Sequence, residues 1–365
     1  MKLFEISNYL DTRVPLQLQE EYDNCGLLIG DKNASIHSVL VCLDCTESVI
    51  DEAIAEKHNL VISHHPLLFH GIKQIIGANY VQKIIQKAIK HDIAIYAMHT
   101  NLDNIHGGVS FQMANKISLQ NIQILKPKTS QLTKLSVYCP IDYSDKVKNA
   151  LFDSGAGRVG QLYDRCSFVS TGLGSFRPLQ GADPFSGQIG EDSFDKEHKI
   201  EVVFFSYLKS KILSALKDAH PYQEVAYECS YVDNLVQVGS GAIGYLKNEM
   251  TLDQLLLHVK DSMGCNMIKY TKSVEKRKIK KVALCGGSGS FLLQDAISSG
   301  ADVYISSDFK YHDFFDTNNK IIVFDIGHYE SEYFTQHLIL DIIKEKFSKL
   351  AVRLTTVCTN PVLYY

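Results

Sequence analysis

The chain has no strong excess of charge, no long apolar run, no paired set of metal-binding cysteines and no dinucleotide fingerprint. Its 365 residues carry a net charge of −4, which argues against a nucleic-acid binder that works by neutralising phosphates. The short basic run Lys276-Arg-Lys-Ile-Lys-Lys281 reads as a solvated loop before a strand. No stretch approaches the ~18 apolar residues of a membrane span, and residues 1–10 hold no apolar leader core. Secretion and membrane insertion are therefore not expected. Nine cysteines are scattered along the chain. Cys42 and Cys45 form a C-x-x-C spacing with no second pair to answer it, so a four-cysteine zinc site is not indicated. A redox pair is the alternative to two buried strand residues there. Reduced cysteines in apolar runs fit a cytoplasmic protein. The loop Gly286-Gly-Ser-Gly-Ser290 lacks the G-x-G-x-x-G spacing. It reads either as a tight turn or as a contact for phosphate at a helix start.

What the chain does have is an apolar content of 45%, enough for real cores in two or three domains. From residue 38 to 103 the pattern alternates: strand 39–43, helix 49–57, strand 60–63, helix 81–91, strand 93–98. This order predicts a largely parallel sheet covered by helices. A second run begins at 280, with strand 282–285, a glycine loop, helix 292–299, strands 303–306 and 321–325, helix 329–347 and a final strand over 351–357. Between the two runs lies a different texture. Strand 135–139, helix 144–154 and strand 167–171 are separated by a polar, glycine-rich stretch over 180–192 from strand 200–205, helix 209–219 and strand 224–231. That order is ferredoxin-like. The fold class expected is thus α/β, a discontinuous domain interrupted by an α+β insert, with bounds at 1–126, 127–240 and 241–365.

Candidate ligand residues gather at the ends of the predicted strands. His64 and His65 lie between strand 60–63 and Pro66, which cannot donate to a sheet ladder. His99 and Asp103 follow strand 93–98. His328 and Glu332 are spaced i, i+4 on one helical face. A lone histidine is more often a hydrogen-bonded structural group, but three such clusters at strand ends point to one metal site, because imidazole and carboxylate suit divalent first-row ions. Neighbouring side chains on a strand diverge. His64 and His65 therefore share one centre only if the strand ends at His64, or else they serve two ions. For a general acid or base, His312 in Lys310-Tyr-His-Asp313 is the candidate, against the alternative of a surface loop histidine. Glu330 is expected to face solvent. His220-Pro-Tyr222 reads as a helix end or as a contact for ligand or a neighbouring subunit.

The ordered motifs Glu21-Tyr-Asp-Asn-Cys-Gly-Leu-Leu-Ile-Gly30, Ser63-His-His-Pro66, Met98-His-Thr-Asn-Leu-Asp103, Cys285-Gly-Gly-Ser-Gly-Ser290 and Asp325-Ile-Gly-His-Tyr-Glu-Ser-Glu332 resemble those of the Nif-three-like family across essentially the whole chain. Gly172-Leu-Gly-Ser-Phe-Arg-Pro178 and Ala219-His-Pro-Tyr-Gln-Glu-Val-Ala-Tyr-Glu228 resemble the PII-like or CutA-like insert of its longer bacterial members. Cys25 stands where valine is common, and Gln223 where glutamate is. The resemblance implies a toroidal homohexamer with two divalent metal ions per subunit. His64, His65, Asp103, His328 and Glu332 would be the ligands, Glu332 the bridge and His99 an auxiliary ligand. Zinc is the default for a redox-silent hydrolytic site, with iron and manganese as alternatives. The family's label implies a GTP cyclohydrolase, a metal-dependent hydrolase acting on a nucleotide or related small molecule. A phosphoesterase at the same site, or a metal-handling or regulatory hexamer without catalysis, are the competing readings.

Overall fold

The computed structural model describes residues 1–158, 160, 162–234, 236–272 and 278–365. Lys276 and Arg277 of the basic run lie outside the described residues. The chain divides into two compact units, one made of Met1–Pro127 with Gln237–Tyr365 and the other of Lys128–Val236. Among the described residues no helix is long and apolar enough to cross a membrane.

The first unit contains two sheets. One runs in the order Gly26–Ile29, Ala94–Ala97, Leu60–Ser63, Ser38–Cys42, Ala351–Leu354, with its last four strands parallel and Gly26–Ile29 antiparallel at the edge. Its short apolar strands are buried on both faces, as parallel strands under helices must be. The period of two is visible in what each residue touches. Val39, Val41, Leu60 and Ile62 join the main core, whereas Leu40, Cys42 and Val61 pack outward against Val49, Ile50, Ile84 and Ile85. These last four lie on the crossover helices Glu47–Ala55 and Tyr80–Lys90, whose first turns are capped by the side chains of Thr46 and Asn79.

The second sheet runs Lys269–Tyr270, Ile322–Asp325, Val303–Ser307, Ile279–Ser288, Gly239–Met250, Gln120–Pro127. Three of its strands, Ile279–Ser288, Val303–Ser307 and Ile322–Asp325, are parallel neighbours, and the rest are antiparallel. Val282, Leu284, Val303, Ile305 and Phe324 share one core with Val39, Leu60 and Ile62 of the first sheet. The helix expected over 329–347 is two helices, His328–Glu332 and Thr335–Lys346. It breaks at Tyr333 and Phe334, where the His337 N–H turns back to the Phe334 carbonyl, three residues away. Strands Gly26–Ile29, Gln120–Pro127 and Gly239–Met250 had no counterpart in the sequence pattern.

The second unit has the element order strand Leu132–Pro140, helix Ser144–Ser154, strands Phe168–Phe176 and Ser193–Phe205, helix Lys209–Ala219, strand Tyr227–Val232. The sheet order is Phe168–Phe176, Ser193–Phe205, Leu132–Pro140, Tyr227–Val232, with every neighbour antiparallel. Leu135, Val137, Ile200, Val202 and Phe204 bury one face against Val147, Leu151, Ile212 and Leu216 of the helices.

Glu52 ties the crossover helix Glu47–Ala55 to the end of the chain. Its carboxylate accepts from Arg353 Nη2 at 2.6 Å, from the Thr356 N–H at 2.9 Å and hydroxyl at 2.7 Å, and from the Thr355 hydroxyl. Burial alone would raise this carboxyl, but the hydrogen bonds outweigh it and pull the pKa down to about 2. A depressed carboxylate stabilises the fold above its unfolded pKa, and that contribution is lost as pH falls through the folded value. Glu52→Gln is therefore expected to cost about 1–3 kcal/mol at pH 7. It should also flatten the acid limb of a denaturation profile between about pH 4.5 and 2. Urea melts of both proteins across that range measure this directly.

Candidate metal centre

The parallel strands of both sheets in the first unit deliver their carboxyl ends to one place, the usual location of ligand sites in α/β sheets. Asp44 follows strand Ser38–Cys42, His64 and His65 follow Leu60–Ser63, and His99 follows Ala94–Ala97. Asp308 follows Val303–Ser307, and His328 follows Ile322–Asp325. The strand before the histidine pair ends at Ser63. His65 N–H then bonds the Leu43 carbonyl at 3.0 Å, and its own carbonyl accepts from Ser63 Oγ at 2.8 Å. This turn brings the two rings to 4.9 Å between centroids, instead of sending them to opposite faces.

Each imidazole is held through Nδ1. His64 Nδ1 lies 2.7 Å from the Met98 carbonyl, His65 Nδ1 2.7 Å from Asp44, His99 Nδ1 2.8 Å from Asp23 and His328 Nδ1 2.6 Å from Asp308. An acceptor on Nδ1 fixes the tautomer and turns Nε2 outward, the arrangement that orients metal-ligating histidines. The ligand-competent atoms of His64, His65 and His99 all lie within 4.8 Å of one another, as do those of His65, His328 and Glu332.

Glu332 occupies the middle. Its Oε2 is 3.0 Å from both His65 Nε2 and His328 Nε2, while Oε1 is 3.8 Å from His64 Nε2. His64 Nε2 is fully buried without a hydrogen-bond partner, and Asp103 Oδ1 stands 3.9 Å from it. A buried, unpaired nitrogen is costly unless something fills the gap. Imidazole nitrogen and carboxylate oxygen around that gap form a donor set suited to a divalent first-row ion.

The electrostatics agree with a site that favours positive charge. Burial and the neighbouring Glu332 raise the Asp103 carboxyl well above its usual range. Glu332 is driven the other way: burial opposes its ionisation, but hydrogen bonds from His328 and His65, with the His64 imidazole close by, hold it well below. Burial lowers His65 and His328, yet their carboxylate partners lift them to about 10 and about 11.

The glycine loop has a role other than anion binding. The Gly286 and Gly287 N–H groups are satisfied by the Ser110 and Ser331 hydroxyls, and the Gly287 carbonyl accepts from Ser306 and Ser307. Gly287 has φ of +62°, and a Cβ there would fall 2.2 Å from Glu332 Oε1. The glycine makes room for the central carboxylate.

A cavity of about 600 Å³ opens over the cluster, with His65, His99 and His328 on its floor and Phe69, Lys269 and Tyr364 among its walls. Glu330, expected to face solvent, is buried and lines this cavity, its Oε1 3.3 Å from Asn360 Nδ2. The chain after the last strand folds over its outer side and shields it. The structure does not bring His312 to the cluster. That residue is exposed on the 3-10 helix Tyr311–Thr317, its ring against Tyr311 and Phe315, outside the residues that line the cavity. Burial raises the Cys42 and Cys45 thiols, Cys45 to about 12, so neither has the depressed pKa of a reactive pair. Asp23, Asp44 and Asp308 were not singled out by the sequence reading, although each sits beside a ligand motif or at a strand end.

The whole chain matches known proteins at the level of sequence. The family model described as Duf34/NIF3 (NGG1p interacting factor 3) covers residues 1–361. The chain belongs to this family. A "GTP cyclohydrolase 1 type 2 homolog" of Bacillus subtilis is 40% identical over 343 residues, 93% of this chain and 88% of that protein. One of the same name from Staphylococcus aureus is 34% identical, with both chains fully covered. The crystal structure of a Bacillus cereus protein related to NIF3 superposes with a TM-score of 0.84 at 35% identity, over 100% of this chain and 99% of that one.

Three substitutions probe the supports of the cluster. Asp44→Asn and Asp308→Asn, each removing the carboxylate behind one imidazole, are expected to weaken metal retention by ~10–100-fold, as loss of such partners does elsewhere. Competition against a chromogenic chelator measures this. Gly287→Ala should push Glu332 from its position and lower metal content without unfolding the protein, read by elemental analysis alongside circular dichroism.

Proposed function

We propose that this family member holds two divalent metal ions and hydrolyses a nucleotide or related small molecule. The observation that carries the reading is the convergence of the Nδ1-anchored imidazoles of His64, His65 and His328 on the buried Glu332, with His99 beside the first two. In this reading His64 with Asp103 would hold one ion and His65 with His328 the other, Glu332 would bridge them, and His99 would be an auxiliary ligand. Such a pair of ions, when bound, polarises a substrate oxygen and makes water acidic enough to react near neutral pH. The chain's own residues do the positioning. Asp44, Asp308 and Asp23 keep the rings in place, and the Phe69 side of the cavity offers an apolar wall to the body of the substrate. Lys269 stands at the mouth with its ammonium 2.6 Å from Asp325.

Zinc is the metal we propose for a redox-silent site of this composition. We further read the protein as a cytoplasmic homohexamer and the 128–236 unit as a ferredoxin-like, PII/CutA-like insert; its strand order, with the two middle strands of the sequence paired antiparallel at one edge, supports the latter. GTP ring opening is the specific reaction suggested by the names of the relatives.

The test uses protein of measured metal content, assayed against a nucleotide panel for formate and for phosphate, with Glu332→Gln as the control. Metal and turnover should fall together in the variant while the far-ultraviolet spectrum is unchanged. Full metal retention by Glu332→Gln would overturn the bridge. Phosphate without formate would replace ring opening by phosphoester cleavage, and neither product would remove the hydrolase reading.

A further inference from the structure

The second unit has a cavity of its own. It measures about 660 Å³ and lies between the open face of the four-stranded sheet and the polar segment 177–192. The sheet's other face is used for its core: Leu135, Val137, Cys139, Ile200, Val202 and Phe204 are buried against the two helices. By strand alternation Tyr138 and Glu197 project from the opposite face, and both line the cavity together with Phe176, Phe185 and Tyr222. The sequence motif His220-Pro-Tyr222 thus finds a use. His220 secures the turn, with Nε2 3.0 Å from the Tyr138 carbonyl and Nδ1 accepting the Tyr222 N–H at 3.1 Å. Tyr222 then donates its hydroxyl to Glu197 Oε1 at 2.8 Å.

Glu197 is a carboxylate with a hydroxyl partner and, among the described residues, no cation. Lys199, two residues on along the same strand, lies 3.2 Å from Glu201, and Arg177, which lines the cavity, lies 2.7 Å from Asp192. Space for the carboxylate is provided by Gly174 on the adjoining strand, where a Cβ would sit 2.1 Å from Glu197 Oε2. A glycine inside a strand weakens it and marks a close approach. The roof is held rather than loose. The Gly190 N–H bonds the Pro178 carbonyl at 2.8 Å, the Asp183 N–H bonds Gln223 Oε1 at 3.1 Å, and Ser186 bonds Asp195. Phe185 on this roof faces Tyr222, with centroids 5.8 Å apart.

A carboxylate with no cation partner among the described residues, in a half-open cavity lined also by Tyr138, Phe176, Phe185 and Tyr222, selects for positive charge on an organic body. Ring faces attract ammonium groups, and the carboxylate adds a charge-assisted hydrogen bond. We propose that this cavity binds a small organic ammonium ion, with its nitrogen at Glu197 and its apolar body against Tyr222, Phe185 and Tyr138. The site is separate from the metal centre and does not depend on the hydrolase reading.

Calorimetric titration of the full-length protein with phenethylammonium, the neutral phenethyl alcohol and the anionic 3-phenylpropionate tests it. The ammonium ion should bind saturably and at least ~10-fold more tightly than the alcohol, the scale of one charge-assisted hydrogen bond, and the carboxylate should not bind. Glu197→Gln should abolish the preference for the amine. Phe185→Leu, on the exposed roof, should weaken amine binding with the thermal midpoint unchanged, and it stands in should the first variant fail to fold. Equal binding of the three probes, no amine binding at millimolar concentration, or a preference that survives both substitutions would overturn the proposal.

Discussion

Four hydrogen bonds to histidine Nδ1 atoms hold the first unit's chemistry together. The Met98 carbonyl and the carboxylates of Asp44, Asp23 and Asp308 each take one ring. The rings then have no freedom to satisfy their other nitrogens locally. The Nε2 atoms of His65 and His328 meet Glu332, which the nearby Gly287 allows to sit deep in the fold, and that of His64 stands between Glu332 and Asp103. The cost of this arrangement is plain in the unpaired nitrogen of His64 and in a carboxyl group, Asp103, that burial and Glu332 push toward its neutral form. Folded proteins tolerate such a cluster when something else completes it.

The two sheets make that alignment stable. Each contributes parallel strands buried on both faces, and their inner faces share one apolar core. The donors are not on these strands but in the first residues after them, where the backbone leaves the ladder and side chains are free of the two-residue alternation. Rigid strands set the positions, and the turns set the directions. This is why side chains more than two hundred residues apart in sequence come to lie 3.0 Å apart, as those of His65 and Glu332 do.

Much of this was legible without coordinates. The apolar runs at 39–43, 60–63 and 93–98 announce buried strands because burial on both faces leaves no polar positions in them. The histidines stand out because each follows such a run. The antiparallel strands Gln120–Pro127 and Gly239–Met250 were hidden, since one lies partly exposed and the other has glycines within it, so neither carries a clean period. Glu330 was misjudged for a related reason. It lies within the helix His328–Glu332, but the returning chain end, with Asn360 against it, meets what the pattern marked as a solvent face.

The sequence by itself determined which side chains are available for metal chemistry, in what order, and which segments form the parallel strands, because residue type and local period are properties of neighbours along the chain. Only the tertiary structure decided which acid stands behind which imidazole, that Glu332 divides its two oxygens between opposite sides of the cluster, and that His312 lies apart from it. Those outcomes depend on how two sheets pack face to face through a common core, and no local pattern carries the relative placement of strands that distant in the chain.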